Sequence, residues 1–534
     1  MISARDRILR PYTRRVSDMW HGLIKATAIF LLILTAMVMG FWLAVFGTLM
    51  AQPFFGLVGV LFLVALWMVD DTEPDYRGQI SKLLLIFLVL EMAWPPYLAI
   101  DIPGLPWITP PRLLLAMTIF MALMQFSQSA RARGEIASVW AVSRPPIVFY
   151  GIFWAFALGS ALYGRSPGAS IGYSLNQLLL WNMPFVVATW AMMDERFLRR
   201  FVALMLITYS VIFVLTVFEY MQRKPVWFDY IPGFLKIDGP LFNVIMADQS
   251  RVGDDRYRAR GNLAVHLYFA QAFLVVVPFM VHYAFSAKQF RHKAAAIALL
   301  LFSLVVSWMT NTRTAMIGFI IMVVGATSLF ALRRFLRPPN KADMVAPAMF
   351  MAAPAAAMLL LVAIAASPRL QSIMIGGAQH KGSDEVRGQQ WDRAINALMT
   401  NPLGYGGNNS GPLSGRLTSN GIWIVDSAWI NLLLDYGLIA AFCFLMFVAL
   451  NVIDGVKIYV RAEGESADLC GPAAVALTGF GLTMYTISYF GNFAVMLVLI
   501  AGIMGTKFRL SQLDHAQSPQ FSAMPALLPR RRLA

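Results

Sequence analysis

Leu263–Phe285 reads LAVHLYFAQAFLVVVPFMVHYAF and contains no Asp, Glu, Lys or Arg. A helix needs roughly 20 mostly apolar residues to cross the hydrocarbon of a bilayer, and this run is long enough. Runs of the same kind recur on both sides of it. Before it lie Ile29–Phe46, Phe54–Val69, Leu83–Leu98, Leu113–Phe126, Ile147–Leu162 and Phe201–Phe218; after it come Ala294–Met309, Ala315–Leu332, Ala346–Ala366, Ala428–Val452, Gly471–Ser488 and Phe493–Met504. With Ile171–Met193 split out as a further span, the pattern predicts about fourteen transmembrane helices.

Composition agrees. Of 534 residues, 58% are hydrophobic and 13% charged. An ordinary soluble domain carries roughly 25% charged residues, so this chain has too few to cover a water-facing surface. The expectation is an all-α, polytopic integral membrane protein. The first apolar run is too long for a cleavable signal peptide, and no small-residue cleavage site follows it. Cys443 and Cys470 sit in or beside apolar runs and read as packed small hydrophobes rather than a disulfide or metal pair.

Orientation follows from where Lys and Arg fall. Arg5, Arg7, Arg10, Arg14 and Arg15 precede the first run. Short basic loops hold Arg131/Arg133, Arg196/Arg199/Arg200, Lys288/Arg291/Lys293, Arg333/Arg334/Arg337 and Lys457/Arg461, and the tail carries Lys507, Arg509 and Arg530–Arg532. With fourteen spans, all of these share one side, so both termini are expected in the cytoplasm. The net charge of +15 then reflects topology and anionic lipid, and no basic stripe with interleaved aromatics suggests nucleic acid.

The resulting division is a tail at 1–23, spans at 24–220, an outward loop at 221–262, spans at 263–366, a large outward loop at 367–427, spans at 428–508 and a tail at 509–534. Both long loops mix Gly, Pro, Asn and Asp with Trp227, Phe228, Tyr230, Phe234, Phe242, Trp391 and Trp423, which predicts folded caps. In the second, Asp384–Thr400 reads as a helix starting after Ser383 and ending at Asn401-Pro402, with Trp391, Ile395, Leu398 and Met399 on its apolar face. The halves share no matching interrupted helices, unlike an inverted-repeat transporter.

Arginines at the outward ends of spans carry the chemistry. Arg260 sits in Arg258-Ala-Arg260-Gly-Asn-Leu and Arg313 in Thr310-Asn-Thr-Arg313-Thr-Ala. A charge at the hydrocarbon edge is costly unless paired, so such residues are functional candidates, although each can also snorkel to headgroups. Arginine suits phosphate because its planar fork makes two parallel hydrogen bonds.

These two motifs, followed by Arg387-x-x-x-Trp391, Asn401-Pro402-Leu-Gly-Tyr-Gly406 and Asp426-Ser-Ala-Trp-Ile-Asn-Leu-Leu-Leu-Asp-Tyr-Gly437-Leu, resemble the O-antigen ligase and Wzy-type polymerase superfamily over roughly Arg258–Met504. The resemblance implies a fold similar to membrane-embedded C-type glycosyltransferases. It also implies metal-independent catalysis without a cofactor. The donor would be an undecaprenyl-pyrophosphate-linked glycan, attacked by a glycan acceptor at the periplasmic face. Arg260 and Arg313 would hold the donor pyrophosphate, with Arg258 and Arg387 as further substrate ligands. Where ligases place a catalytic His, this chain has Asp426. A carboxylate there can serve as general base or as an N-cap. His266, one turn into the eighth span, is a substitute base or a packed core residue.

The expected activity is polymerisation of lipid-linked oligosaccharide repeats into surface polysaccharide, alongside membrane lipids and other envelope-assembly proteins. Transfer to lipid A-core by a ligase is the alternative. Rival classes are a flippase of lipid-linked sugars, which would want mid-membrane charges such as Glu91, and a non-catalytic assembly scaffold.

Overall fold

The computed structural model describes residues 72–101, 107–237, 257–338, 343–366, 378–417, 423–488 and 493–517, with scattered positions between 20 and 38 and at 242 and 421. The run Phe54–Val69, residues 1–19 and residues 518–534 lie outside these residues, and Ile29–Phe46 lies largely outside them.

The described chain is almost entirely helical. In order come α1 (Arg77–Ala93), α2 (Pro110–Gln128), α3 (Ala130–Val142), α4 (Arg144–Tyr163), α5 (Pro167–Gln177), α6 (Met183–Ala191) and α7 (Glu195–Gln222). Then follow α8 (His266–Ser286), α9 (Phe290–Met309), α10 (Arg313–Leu336), α11 (Val345–Ala366), α12 (Ala378–Thr400), the short α13 (Ser410–Ser414), α14 (Ala428–Arg461), α15 (Glu465–Thr483) and α16 (Phe493–Gln517). A two-residue antiparallel hairpin, β1 (Arg416–Leu417) with β2 (Trp423–Ile424), precedes α14. Eight helices among the described residues, α2, α4, α7, α8, α9, α10, α14 and α16, are long and apolar enough to cross a membrane. The chain is an all-α polytopic membrane protein.

The run that decided the fold becomes its axis. In α8 the apolar window is 78% buried, as in α16, whereas that of α9 is 22% buried. A helix hydrophobic all round belongs at the centre of a bundle, while one with apolar exposed faces meets lipid. Small residues let α15 approach α10 and α10 approach α8: a Cβ on Gly479 would reach Met322 Sδ at 2.6 Å, and one on Gly318 would meet Leu274 at 2.6 Å. Cys443 and Cys470 are buried and unpaired by disulfide, as their apolar setting suggested.

Local structure departs from the sequence reading in several places. Ile171–Met193 is one span by hydropathy but is broken by a π-helical turn, Leu178–Asn182, between α5 and α6. The basic loop of Arg131 and Arg133 is the helix α3, whose Ala132, Ile136 and Val139 are buried. The loop helix starts at Ala378 rather than Asp384. Its packed face is Trp391, Ala394, Ala397 and Leu398 against Val425, Ile430 and Leu434. Ile395 and Met399 are exposed, so the helix lies on the protein through the row at i, i+3, i+6 and i+7.

After α7 the described part of the first long loop is folded. Two 3-10 turns, Phe228–Tyr230 and Gly233–Leu235, carry Ile231 and Ile237 onto Tyr97, Leu98 and Ala99, with Trp94, Trp107 and Trp227 around them. Ala99 N–H donates to Leu235 C=O, which ties this cap to the segment following α1.

Candidate functional site

Three motifs read from the sequence meet in space. Helix α14 is not continuous: Gly437 has φ 88° and ψ 172°, a combination essentially restricted to glycine. The segment Asn401–Gly407 fills the break. Leu438 N–H donates to Pro402 C=O at 2.9 Å, Tyr405 N–H to Leu434 C=O at 2.7 Å and Gly406 N–H to Asp435 C=O at 3.0 Å. A Cβ on Gly437 would lie 2.4 Å from the Leu403 carbonyl carbon. Asp435, buried in the same turn, accepts from Asn409 N–H at 2.9 Å and Ser410 N–H at 2.8 Å, and so holds the start of α13.

The same contacts gather the candidate polar residues at one end of the bundle. The segment before α8 runs beside the end of α9, where Ala259 N–H donates to Met309 C=O, three residues before Thr312 caps α10 by accepting from Ala315 N–H. Asn262 Nδ2 donates to Met92 C=O at the end of α1. Helix α12 reaches α10 through Arg313 and the start of α14 through Gln390.

Arg260 does not snorkel. It is 1% exposed and faces Glu219, which is 2% exposed, at 3.8 Å between Nε and Oε1. Glu219 also accepts from the N–H groups of Arg260 (3.2 Å) and Gly261 (2.8 Å) and from the Tyr257 hydroxyl (2.7 Å). Burial, then the Glu219 charge, pushes the Tyr257 hydroxyl above its ordinary range, so it remains the donor. A buried carboxylate thus meets donors on several sides. Glu219 stands out in the sequence only as an acid near an outward helix end; its organising role depends on a loop whose fold the sequence does not display.

Arg258 Nη1 lies 3.2 Å from His266 Nε2. A guanidinium has donors only, so Nε2 is the acceptor and the ring proton is assigned to Nδ1. Arg313 and Arg387, from α10 and α12, converge on one carboxylate: Asp384 accepts from Arg313 Nη1 at 3.2 Å and from Arg387 Nη1 at 3.4 Å. The Arg313 and Arg387 side chains are 21% and 25% exposed, Asp384 53%. Sequence reading places Asp384 at a helix start; the extra turns move it one helical turn before Arg387 and opposite Arg313.

Asp426 is not the N-cap of α14. That position belongs to Ser427, whose hydroxyl donates to Met484 C=O at 3.1 Å. The first N–H of the helix, on Ala428, donates to Met484 and Ile487 carbonyls. The Asp426 backbone N–H donates to Gln390 Oε1 at 2.9 Å, and Gln390 Nε2 donates to Ile424 C=O. Gln390, 1% exposed, therefore fixes the strand that presents Asp426. Among the described residues the Asp426 carboxylate makes no hydrogen bond or ion pair. It lies within electrostatic reach of Tyr268, which hydrogen-bonds Ser488. Trp391 stacks on Tyr485 with centroids 5.3 Å apart, closing α12 over this end.

The described residues thus form a helical membrane bundle with arginines and carboxylates collected at one end. Residues 295–445 match the family described as O-antigen ligase. That match bears out the resemblance to the O-antigen ligase and Wzy-type superfamily. It runs from α9 into α14 and includes Arg313, Arg387 and Asp426; Arg258, Arg260 and His266 precede it. In general terms it makes the chain an enzyme of ligase or polymerase type with a lipid-linked glycan donor and an acceptor, set in the inner membrane in several passes. No curated protein matches the chain.

Proposed function

We propose that the protein is a polymerase that joins undecaprenyl-pyrophosphate-linked oligosaccharide repeats into surface polysaccharide at the periplasmic face. The observation that carries the reading is the convergence of Arg313 and Arg387 on Asp384. Two guanidinium groups from different elements sharing one carboxylate form a place where an anion is held. The donor pyrophosphate takes it when Asp384 swings toward solvent, its half-exposed setting making that displacement inexpensive. Arg260 and its Glu219 partner hold the segment before α8 in place, with Arg258 and His266 beside them.

The reaction is attack by an acceptor hydroxyl on the anomeric carbon of the donor. The hydroxyl proton passes to Asp426, the new glycosidic bond forms, and the bond to the pyrophosphate oxygen breaks. Charge develops on that leaving oxygen, where preorganised cations contribute most. Asp426 suits the role of base because Ser427 occupies the cap position and Gln390 orients the backbone. His266 is the weaker candidate, since Arg258 already occupies its Nε2 acceptor.

A flippase would want charges in mid-span; Glu91 lies in the last turn of α1 and shares a cavity with Arg112 at the start of α2, a placement that favours the enzyme reading.

Genetic complementation tests the proposal. The gene is deleted and restored as wild type, Arg313→Ala, Arg387→Ala or Asp426→Ala at matched protein levels, and the surface polysaccharide is sized. Loss of long chains with single repeats still made is the expected result. Long chains left on the carrier lipid would mean a ligase, and unchanged polysaccharide in the deletion strain would remove the assignment.

A further inference from the structure

A cavity of about 390 Å³ opens at the same end of the bundle, on helices that precede the matched stretch. Glu91 and Trp94 come from the end of α1, Trp107 and Arg112 from the start of α2, Gln177 from the end of α5 and Tyr268 from the first turn of α8. The volume falls in the roughly 300–1,000 Å³ range of small-molecule sites. Its walls are held in place. Trp94 Nε1 donates to Leu98 C=O at 2.7 Å, and Arg112 Nη1 to Trp107 C=O at 2.8 Å. Thr109 caps α2 by accepting from Arg112 N–H at 3.4 Å.

The lining selects a ligand by chemistry. Its two charged residues, Glu91 and Arg112, are of opposite sign, so the cavity has no excess positive charge to attract phosphate. An acyl chain would bury Glu91, Arg112 and Gln177 against hydrocarbon, which is unfavourable. A sugar ring satisfies the whole set. It has an apolar C–H face for the aromatic walls and a rim of hydroxyls that donate to Glu91, accept from Arg112 and do both with Gln177. Tyr268 and Ser488 line one side, and the carbonyl of Ile487, next to Ser488, accepts from Ala428 N–H at 3.1 Å, two residues after Asp426, so the cavity borders the segment that presents Asp426.

We infer that this cavity is a subsite for the acceptor glycan, in which Trp94 and Trp107 pack on sugar faces and Glu91 and Arg112 bind hydroxyls. The inference rests on the glycan-transfer reading of the neighbouring arginine and Asp426 site. A binding measurement that needs no turnover tests it. The full chain in lipid nanodiscs is titrated with the lipid-free repeat oligosaccharide released from the host's own carrier, followed by saturation-transfer NMR. The wild type is expected to bind. Glu91→Gln and Trp107→Ala are expected to weaken binding about tenfold, while Trp107→Phe, which keeps an aromatic face, retains most of it. Unchanged binding in Glu91→Gln and Trp107→Ala, or no binding by the wild type, would overturn the subsite. Failure of the transfer reading would show instead as intact surface polysaccharide in the Arg313→Ala strain, a result independent of this titration.

Discussion

Glu219 accepts from Tyr257, from two backbone N–H groups and faces the Arg260 side chain, so its charge holds a whole turn together. Removing one partner of a buried ion pair strands the other charge and costs about 3–5 kcal/mol. Glu219→Gln is expected to destabilise the protein by that order, read as a lower thermal unfolding temperature in nanodiscs, and Arg260→Met made on top of it to restore part of the loss. Fully additive losses would show that the two residues act independently. Asp384 behaves differently because it is half exposed. Asp384→Ala is expected to leave the unfolding temperature within the effect of about 1 kcal/mol typical of exposed pairs. It frees Arg313 and Arg387, so calorimetric affinity for inorganic pyrophosphate should rise several-fold. Unchanged affinity would mean that Asp384 does not stand where the anion binds. At this scale the arginines themselves were legible in the sequence, because charge at the edge of an apolar run is conspicuous. Their partners were not. Glu219 lies 41 residues from Arg260 and Asp384 lies 71 from Arg313; only the Asp384–Arg387 pair, three residues apart, is local.

Elements connect these residues through the broken helix α14. The motifs Asn401–Gly406 and Asp426–Leu438 are visible in the sequence as separate signatures, yet that one fills a gap in the other follows only from Gly437 leaving the helix. Hydropathy is blind to this, since Leu432–Phe447 stays apolar across the break. Gly437→Ala combines a forbidden backbone region with a Cβ 2.4 Å from Leu403. It should cost at least about 3 kcal/mol and expose residues 401–409 to limited proteolysis. Gly421→Ala is the control: its φ is +77° but nothing lies within 4 Å of the added Cβ, so only backbone strain of about 1–2 kcal/mol applies. Equal proteolysis of the two variants would contradict the interlock. Helix α12 shows the same limit of local reading. Its existence and its end at Asn401 were readable from capping and turn residues. Its packed face was misassigned because Ala394 and Ala397, small and unremarkable in sequence, make the close contact while Ile395 and Met399 point away.

For the whole molecule, composition and apolar runs were enough to identify a polytopic helical membrane protein. Twenty residues without charge match the thickness of the hydrocarbon core, and a helix satisfies its own backbone there. The arrangement of the helices required the structure: α8 at the axis, α9 at the lipid, and α1, α2, α5 and α8 enclosing a cavity. Arg313, Arg387, Asp426, Trp94 and Trp107, to which we assign donor pyrophosphate, proton and acceptor sugars, then all lie at one end of the bundle. The central claim is that this chain alone breaks the bond between glycan and carrier lipid. The direct measurement is release of undecaprenyl pyrophosphate from a purified lipid-linked repeat by the purified protein in nanodiscs, with Arg313→Ala and Asp426→Asn in parallel. Release by the wild type together with glycans of more than one repeat, both lost in the two variants, is the predicted result; folded wild-type protein that releases no carrier lipid, or variants that release it at the wild-type rate, would contradict it.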